Sequence, residues 1–230
     1  MSKINSFESQ SLALFFNNVP IRNIGDATGI TGSAASGSFW VSLHTADPGE
    51  NGTQSTSEAT YTSYARVAVS RSAAGWTVSG SDVWNSSSVT FPAPTAGSST
   101  IIYWGIGTGS AGTGQLLYRG PISTNPIGFA LGESTDETLT IKNHALGVSD
   151  RISVFALANL ALPGNITEGS IYFVKTVPTA DTITVSSTDG GPTLDITTDG
   201  QGLAYKVIPY TTTVGIQPQF APGALRITED

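Results

Sequence analysis

The chain contains no cysteine. That excludes disulfide staples, thiolate metal sites and a cysteine nucleophile. It assigns no compartment, because a particle assembled in a reducing cytosol would lack disulfides equally. Charge is scarce as well: Asp, Glu, Lys and Arg make up 12% of the residues, about half the usual share of a soluble domain. The 10 basic residues face 17 acidic ones, for a formal charge of −7, and no basic stripe exists, so no nucleic-acid partner is expected. No apolar run reaches the roughly 18 residues that a membrane-spanning helix needs, so no membrane partner is expected either. The opening MSKINSFESQ has one lysine and then polar residues, without the apolar core and small-residue cleavage site of a signal peptide, which predicts a cytosolic product. Heptads, collagen triplets and β-helix repeats, the devices that build long fibres, are all missing.

Serine, threonine, glycine and asparagine fill the space that charge leaves. Such a chain could be disordered, but 39% hydrophobic residues, four tryptophans and nine phenylalanines argue for a packed core. A surface polar through hydroxyls suits a protein that sits against neighbours, since few charges must lose water at contacts. Three N-x-S/T triplets, at Asn51, Asn85 and Asn165, are expected by chance in a chain so rich in serine and threonine.

One helix is predicted, over residues 5–17, capped by Asn5 or Ser6, with Glu8 in its first turn and Asn17, Asn18 and Pro20 after it. Residues 21–38 read as a polar, glycine-rich loop or mobile arm. Short strands then follow: Phe39–His44, Tyr64–Ser70, Trp76–Val78, Val89–Phe91, Ile101–Ile106 and Leu116–Arg119, separated by Gly, Ser and Pro turns. No amphipathic helices alternate with them, which argues against a parallel α/β sheet and for a sandwich or barrel. Between about Ile127 and Ala204 the texture changes to a second train of strands, at 138–141, 151–155, 170–175, 182–186 and 194–197. In the fourth of these, DTITVS, Ile183 and Val185 share one face. The expected core of the first domain is Trp40, Leu43, Val67, Val69, Phe91, Ile102, Trp104, Leu117 and Leu225.

Candidates for chemistry are few. His44 ends a strand near Asp47 and His144 lies in KNHALG, about a hundred residues away. Neither is near a nucleophile turn, so His44 is expected to hold the Asp-Pro-Gly turn by hydrogen bonds. Asp181, Asp189, Asp195 and Asp199 share one stretch but lack the spacing of a calcium loop and read as turn residues. The run GIGTGSAGTG at 105–114 matches a dinucleotide fingerprint through Gly107, Gly109 and Gly112, yet a strand follows it instead of a helix, so it reads as a loop. Asp47 and Glu50 lie in one turn, whereas a glycosidase needs two carboxylates facing each other across a cleft. No catalytic, cofactor-binding or metal-ligating residue is therefore expected. Trp84, in SDVWNSSS, is a candidate interface anchor. Phe15 and Phe16 beside Leu12 and Leu14, with Phe7 one turn or more before them, give the helix more apolar surface than its own domain should need. The candidate partner interface is thus Phe7, Leu12, Phe15, Phe16 and Trp84.

The ordered series FWVSLHTADPGENG, TSYARVAV, VTFPAPT, IIYWGIG and GQLLYRGPI, closed by FAPGALRIT at Phe220–Thr228, resembles a widespread tailed-bacteriophage family whose members are labelled tail fibre or head decoration proteins. The helix matches too, and the resemblance covers about two thirds of the chain. The remainder, DETLTIKNHALGVSDRISVF, ALPGNITEGSIYFV and ADTITVSSTDGGPTLDITTDGQG, resembles a second phage module that recurs in virion proteins, with Ser149 where its pattern has glycine. The resemblance implies an all-β fold, a jelly-roll-like β-sandwich with a short N-terminal helix and an inserted second small β-domain. Residues 1–126 plus 205–230 would form the sandwich and 127–204 the insert. It implies a non-enzymatic structural virion protein without cofactor, made in the host cytoplasm. The first expectation is a capsid decoration or cement protein on the capsid surface, with the major capsid protein and further copies of itself (a homo-oligomer) as partners. A contact of about 1,600 Å² would suffice, and repetition over a shell adds avidity. The alternatives are a tail fibre or tail accessory protein, or a host-surface carbohydrate-binding module.

Overall fold

In the computed structural model, residues 3–157 and 160–228 are described, the side chains of 124–126 excepted. The chain is mostly β, with one short helix, and divides into two compact units. The first comprises residues 1–100, 104–119 and 211–230; the second comprises 101–103 and 120–210.

The first unit begins with helix α1 (Asn5–Asn17). Its N-cap is Ile4, which makes no side-chain capping bond, so neither Asn5 nor Ser6 plays the expected role. The C-terminus closes through Asn18 in the left-handed region (φ 59°), with Val19 N–H donating to the Ala13 carbonyl. Arg71 completes that end: its guanidinium donates to the Phe15 carbonyl at 2.7 Å and the Leu14 carbonyl at 3.1 Å. A cation there meets both the orphan carbonyls and the negative end of the helix dipole. The same guanidinium reaches Ser33 Oγ and the Ser36 carbonyl. Asn18 both donates to and accepts from the Ser33 backbone, and Ile21 pairs with Ile30. The segment expected to be a mobile arm is thereby fastened to its own unit.

The strands of this unit are β1 (Ser38–His44), β2 (Val67–Ser70), β3 (Trp76–Ser79), β4 (Asp82–Asn85), β5 (Val89–Thr90), β6 (Thr100–Ile101), β7 (Tyr103–Gly107) and β8 (Leu116–Pro121). A four-stranded sheet has the order β2-β1-β7-β8. The C-terminal chain returns to this unit as β15 (Tyr210–Thr211), β16 (Gln219–Phe220) and β17 (Arg226–Thr228). They pair with β6, β5 and β4 respectively, so that β17-β4-β3 makes a three-stranded sheet. The core lies under α1: Phe16 and Leu12 are both at 0% exposure, and the Phe16 ring packs edge-on against Trp76 and Phe39. Leu43, Phe91, Trp104 and Leu225 are buried as expected. Trp40, Val67, Val69, Ile102 and Leu117 are only partly covered. On β1 it is Phe39, Val41 and Leu43 that enter the apolar core, the opposite parity from Trp40.

The second unit is a closed six-stranded barrel formed by β9 (Ser123–Glu133), β10 (Thr138–Thr140), β11 (Arg151–Phe155), β12 (Ile171–Thr179), β13 (Thr182–Ser186) and β14 (Gly200–Val207), in the order β10-β13-β12-β11-β14-β9. All six pairings are antiparallel. Closure removes free edges, which open sheets otherwise expose to aggregation. Ile183, Val185, Ile152, Val154 and Leu139 fill the interior at 2% exposure or less. The expected strand at 194–197 is not one: the segment is irregular, although Ile196 is buried in the barrel core and Leu194 N–H bonds to the Val185 carbonyl. The bounds expected from sequence, 126/127 and 204/205, fall inside β9 and β14, the longest-paired strands of the barrel.

Candidate interaction surface

The densest concentration of polar side chains in the first unit is buried, on the face of β1 opposite its apolar core. Ser42, His44 and Gln54 all have 0% exposure. His44 Nδ1–H donates to the Thr56 carbonyl at 2.8 Å, which leaves Nε2 to accept from Ser42 Oγ at 2.8 Å. Burial lowers the His44 pKa, so the ring is held neutral. Gln54 donates to the Trp40 carbonyl and accepts from Gly109 N–H. Next to them, Arg66 meets Glu58 through two parallel bonds of 2.7 and 2.8 Å and also donates to the carbonyls of Gly109 and Gly112. Tyr64 donates to Glu58 and accepts from Leu43 N–H. Its phenol is pushed up in pKa, chiefly by burial, and stays protonated.

A serine hydroxyl 2.8 Å from a histidine nitrogen has the geometry of a nucleophile and its base. Here the histidine's other nitrogen is oriented by a main-chain carbonyl, and both side chains lack any exposed surface. Gly105 on β7 closes over them: a Cβ there would lie 2.7 Å from His44 Nε2 and 2.8 Å from Ser42 Oγ. The pair therefore fastens β1 to the segment that contains Thr56. Gly107 is equally tight against Gln54, so part of the glycine-rich run is explained by packing. The Asp-Pro-Gly turn is held by a different residue from the one expected. Asp47 Oδ1 accepts from Gly49 N–H and lies 2.8 Å from Arg119 Nη1; His44 makes no bond to it.

In the second unit, Asp181 bonds to Lys142 and Asn143 N–H, and Asp199 to Ser134. Among the described residues no group of three or more His, Cys, Asp or Glu side chains converges. His144 is buried, with Nδ1 accepting from Leu146 N–H.

The expected interface residues are not brought together as one surface. Leu12 and Phe16 belong to the core of their own unit, and Phe15 is half-buried, stacked on Phe39 at 4.9 Å. Trp84 lies on β4, half-buried, with the Arg226 guanidinium 5.4 Å above its ring and Asp82 2.6 Å from that guanidinium. Phe7 remains exposed at the start of α1. Sequence reasoning missed Ile4, Val19, Ile24 and Ile30, all exposed and all in the same N-terminal stretch as Phe7. Their signal was available: isolated aliphatic residues in a polar, glycine-rich segment that the core does not recruit. These exposed aliphatic residues are carried on a segment that Arg71, Asn18 and the Ile21–Ile30 bridge hold to its own unit.

The sequence model of one family, described as podophage GP4 fiber I protein gp80, matches residues 24–149. No curated protein matches the chain.

Proposed function

Since the match spans more than half of its length, the chain belongs to the podophage GP4 fiber I protein gp80 family, and from that premise we propose that it is a non-enzymatic, fibre-type structural protein attached to the particle through its sandwich unit. A phage structural protein is the coarse identity; the place on the particle is the proposal. The observation that carries it is the family match over residues 24–149, which takes in most of the first unit and enters the barrel. The exposed set Ile4, Phe7, Val19, Ile24 and Ile30 supports the choice of attachment surface. Few charges must be desolvated there, and the segment is already fastened, so docking costs little ordering entropy. The buried Ser42–His44 pair supports a structural reading, because substrate has no path to it.

A second reading, capsid decoration with the major capsid protein as partner, draws on one observation. The described residues fold into two compact β units without a repeating shaft. Association with further copies of the chain is compatible with both readings. Gold labelling of intact particles with an antibody against this chain separates them. Label confined to the tail or collar is the expected result, label spread over the head favours decoration, and particles free of the chain refute both.

A further inference from the structure

The face of α1 that joins its own unit carries one residue out of keeping with the others. Glu8, Leu12 and Phe16, spaced four apart, form the buried stripe of the helix. Leu12 and Phe16 enter the apolar core at 0% exposure, and Glu8 is only 6% exposed. Among the described residues, no donor reaches its carboxylate. Every other described carboxylate of this unit has one. Asp26 accepts from two main-chain N–H groups, Asp47 and Glu50 meet Arg119, Glu58 meets Arg66, and Asp82 meets Arg226. None of these is as deeply buried as Glu8. Those three arginines are thereby committed, and Arg71 is held at the opposite end of the helix by the Leu14 and Phe15 carbonyls.

Folding has already stripped the Glu8 carboxylate of most of its water, and the positive end of the helix dipole compensates only part of that loss. A carboxylate so placed favours a cation brought from outside. The desolvation that normally offsets a buried ion pair has, on its side, been incurred before the partner arrives. The stripe opens to the surface one turn earlier: Ile4, four residues before Glu8, is 71% exposed, and Phe7 beside it is 37% exposed. A partner that covers Ile4 and Phe7 therefore lies across the mouth of the Glu8 site. The formal charge of −7 on the chain also favours a basic partner surface over an acidic one.

We propose that Glu8 is a docking point for a lysine or arginine side chain of the neighbouring virion protein, inserted beside Ile4 and Phe7. This rests on the reading that the N-terminal surface attaches the sandwich unit to the particle, and it names the chemistry of the partner. The test uses a phage whose own copy of the gene carries a stop codon. The full chain is supplied by the infected cell as wild type, Glu8→Gln, Glu8→Leu or Phe7→Ser, one at a time, at the expression level that half-fills the particles with wild type. Copies per purified particle are counted by mass spectrometry. Glu8→Gln and Glu8→Leu should each fall about ten-fold or more in occupancy. Both purified variants should melt at or above the wild-type temperature, because a buried unpaired charge has been removed. Phe7→Ser reports on the attachment surface itself. Loss of Phe7→Ser with full occupancy by both Glu8 variants would overturn the docking point and leave the attachment surface standing. Full occupancy by all three variants, or particles that never contain the chain, would overturn both. A melting temperature several degrees lower in Glu8→Gln would assign the carboxylate to its own fold and would also overturn the proposal.

Discussion

The buried Arg66–Glu58 pair offers the sharpest test of how the first unit is held together. Arg66 spends four hydrogen bonds inside the fold, two on the Glu58 carboxylate and one each on the Gly109 and Gly112 carbonyls. The two side chains are 2% and 17% exposed. Replacing Arg66 with methionine keeps the volume but leaves the carboxylate with the Tyr64 hydroxyl as its remaining bond here and strips two loop carbonyls of their donor. Breaking one side of a buried pair costs about 3–5 kcal/mol, because the surviving charge stays desolvated. For a chain of this size each kcal/mol moves Tm by about 2–4 °C, so Arg66→Met should lower it by about 6–20 °C. Calorimetry of the full chain should show the loss in one transition, that of the sandwich unit. Adding Glu58→Gln to Arg66→Met removes the orphaned charge while keeping an acceptor for Tyr64, and should recover about 1 kcal/mol or more. A single-variant loss below about 1 kcal/mol, or a double variant no better than the single, would show that water reaches the pair and that the network is ornamental.

Four further outcomes follow from the same structure. Phe16→Ala should cost about 3–5 kcal/mol by chemical denaturation, and Phe7→Ser less than about 0.5 kcal/mol, since the first ring is buried and the second is not. Arg71→Met should lower stability by about 1–3 kcal/mol and speed amide exchange at the C-terminal turn of α1, whose carbonyls lose their donor. The His44 pKa is depressed in the fold, so the unfolded chain binds the proton first; stability should be complete above the ordinary histidine pKa of about 6.5 and fall as pH drops below it, and His44→Gln should flatten the Tm profile between about pH 7.5 and 5.5. Deleting residues 122–208 through a short Gly/Ser link should leave the sandwich unit with a cooperative melt, whereas deleting 127–204 leaves stubs of β9 and β14 without partners and should expose apolar surface to a dye.

What could be read in the sequence was local. The helix at 5–17, β1 and the alternation of Ile183 and Val185 each declare themselves within a few residues. The long strands β9 and β14 did not. Pro126 and Gly128 interrupt one and Gly200 and Gly202 begin the other, and the glycines at 132, 200 and 202 are there because the 162–163 segment presses on the sheet at those positions. On β1 the sequence reading placed both Trp40 and Leu43 in the core, and only Leu43 is there. Tryptophan looks like core, but Trp40 shares its face of the strand with Ser42 and His44, beside Gln54, in a polar layer assembled from segments that only the fold makes adjacent. Arg71 is the clearest case of a role invisible in sequence: its bonds to Phe15 and Leu14 cross more than fifty residues. The same clamp accounts for the fate of the interface candidates, because it sets the helix down so that Phe16 and Leu12 turn inward and leaves Ile4, Phe7, Ile24 and Ile30 outside.

The most direct measurement is a cryo-electron density map of the intact particle, refined around the chain. The account predicts continuous density in which the sandwich unit, through Ile4, Phe7, Val19, Ile24 and Ile30, packs on a neighbouring virion protein. Density that places the barrel against the particle with that N-terminal surface free, or purified particles in which the chain is absent, would contradict it.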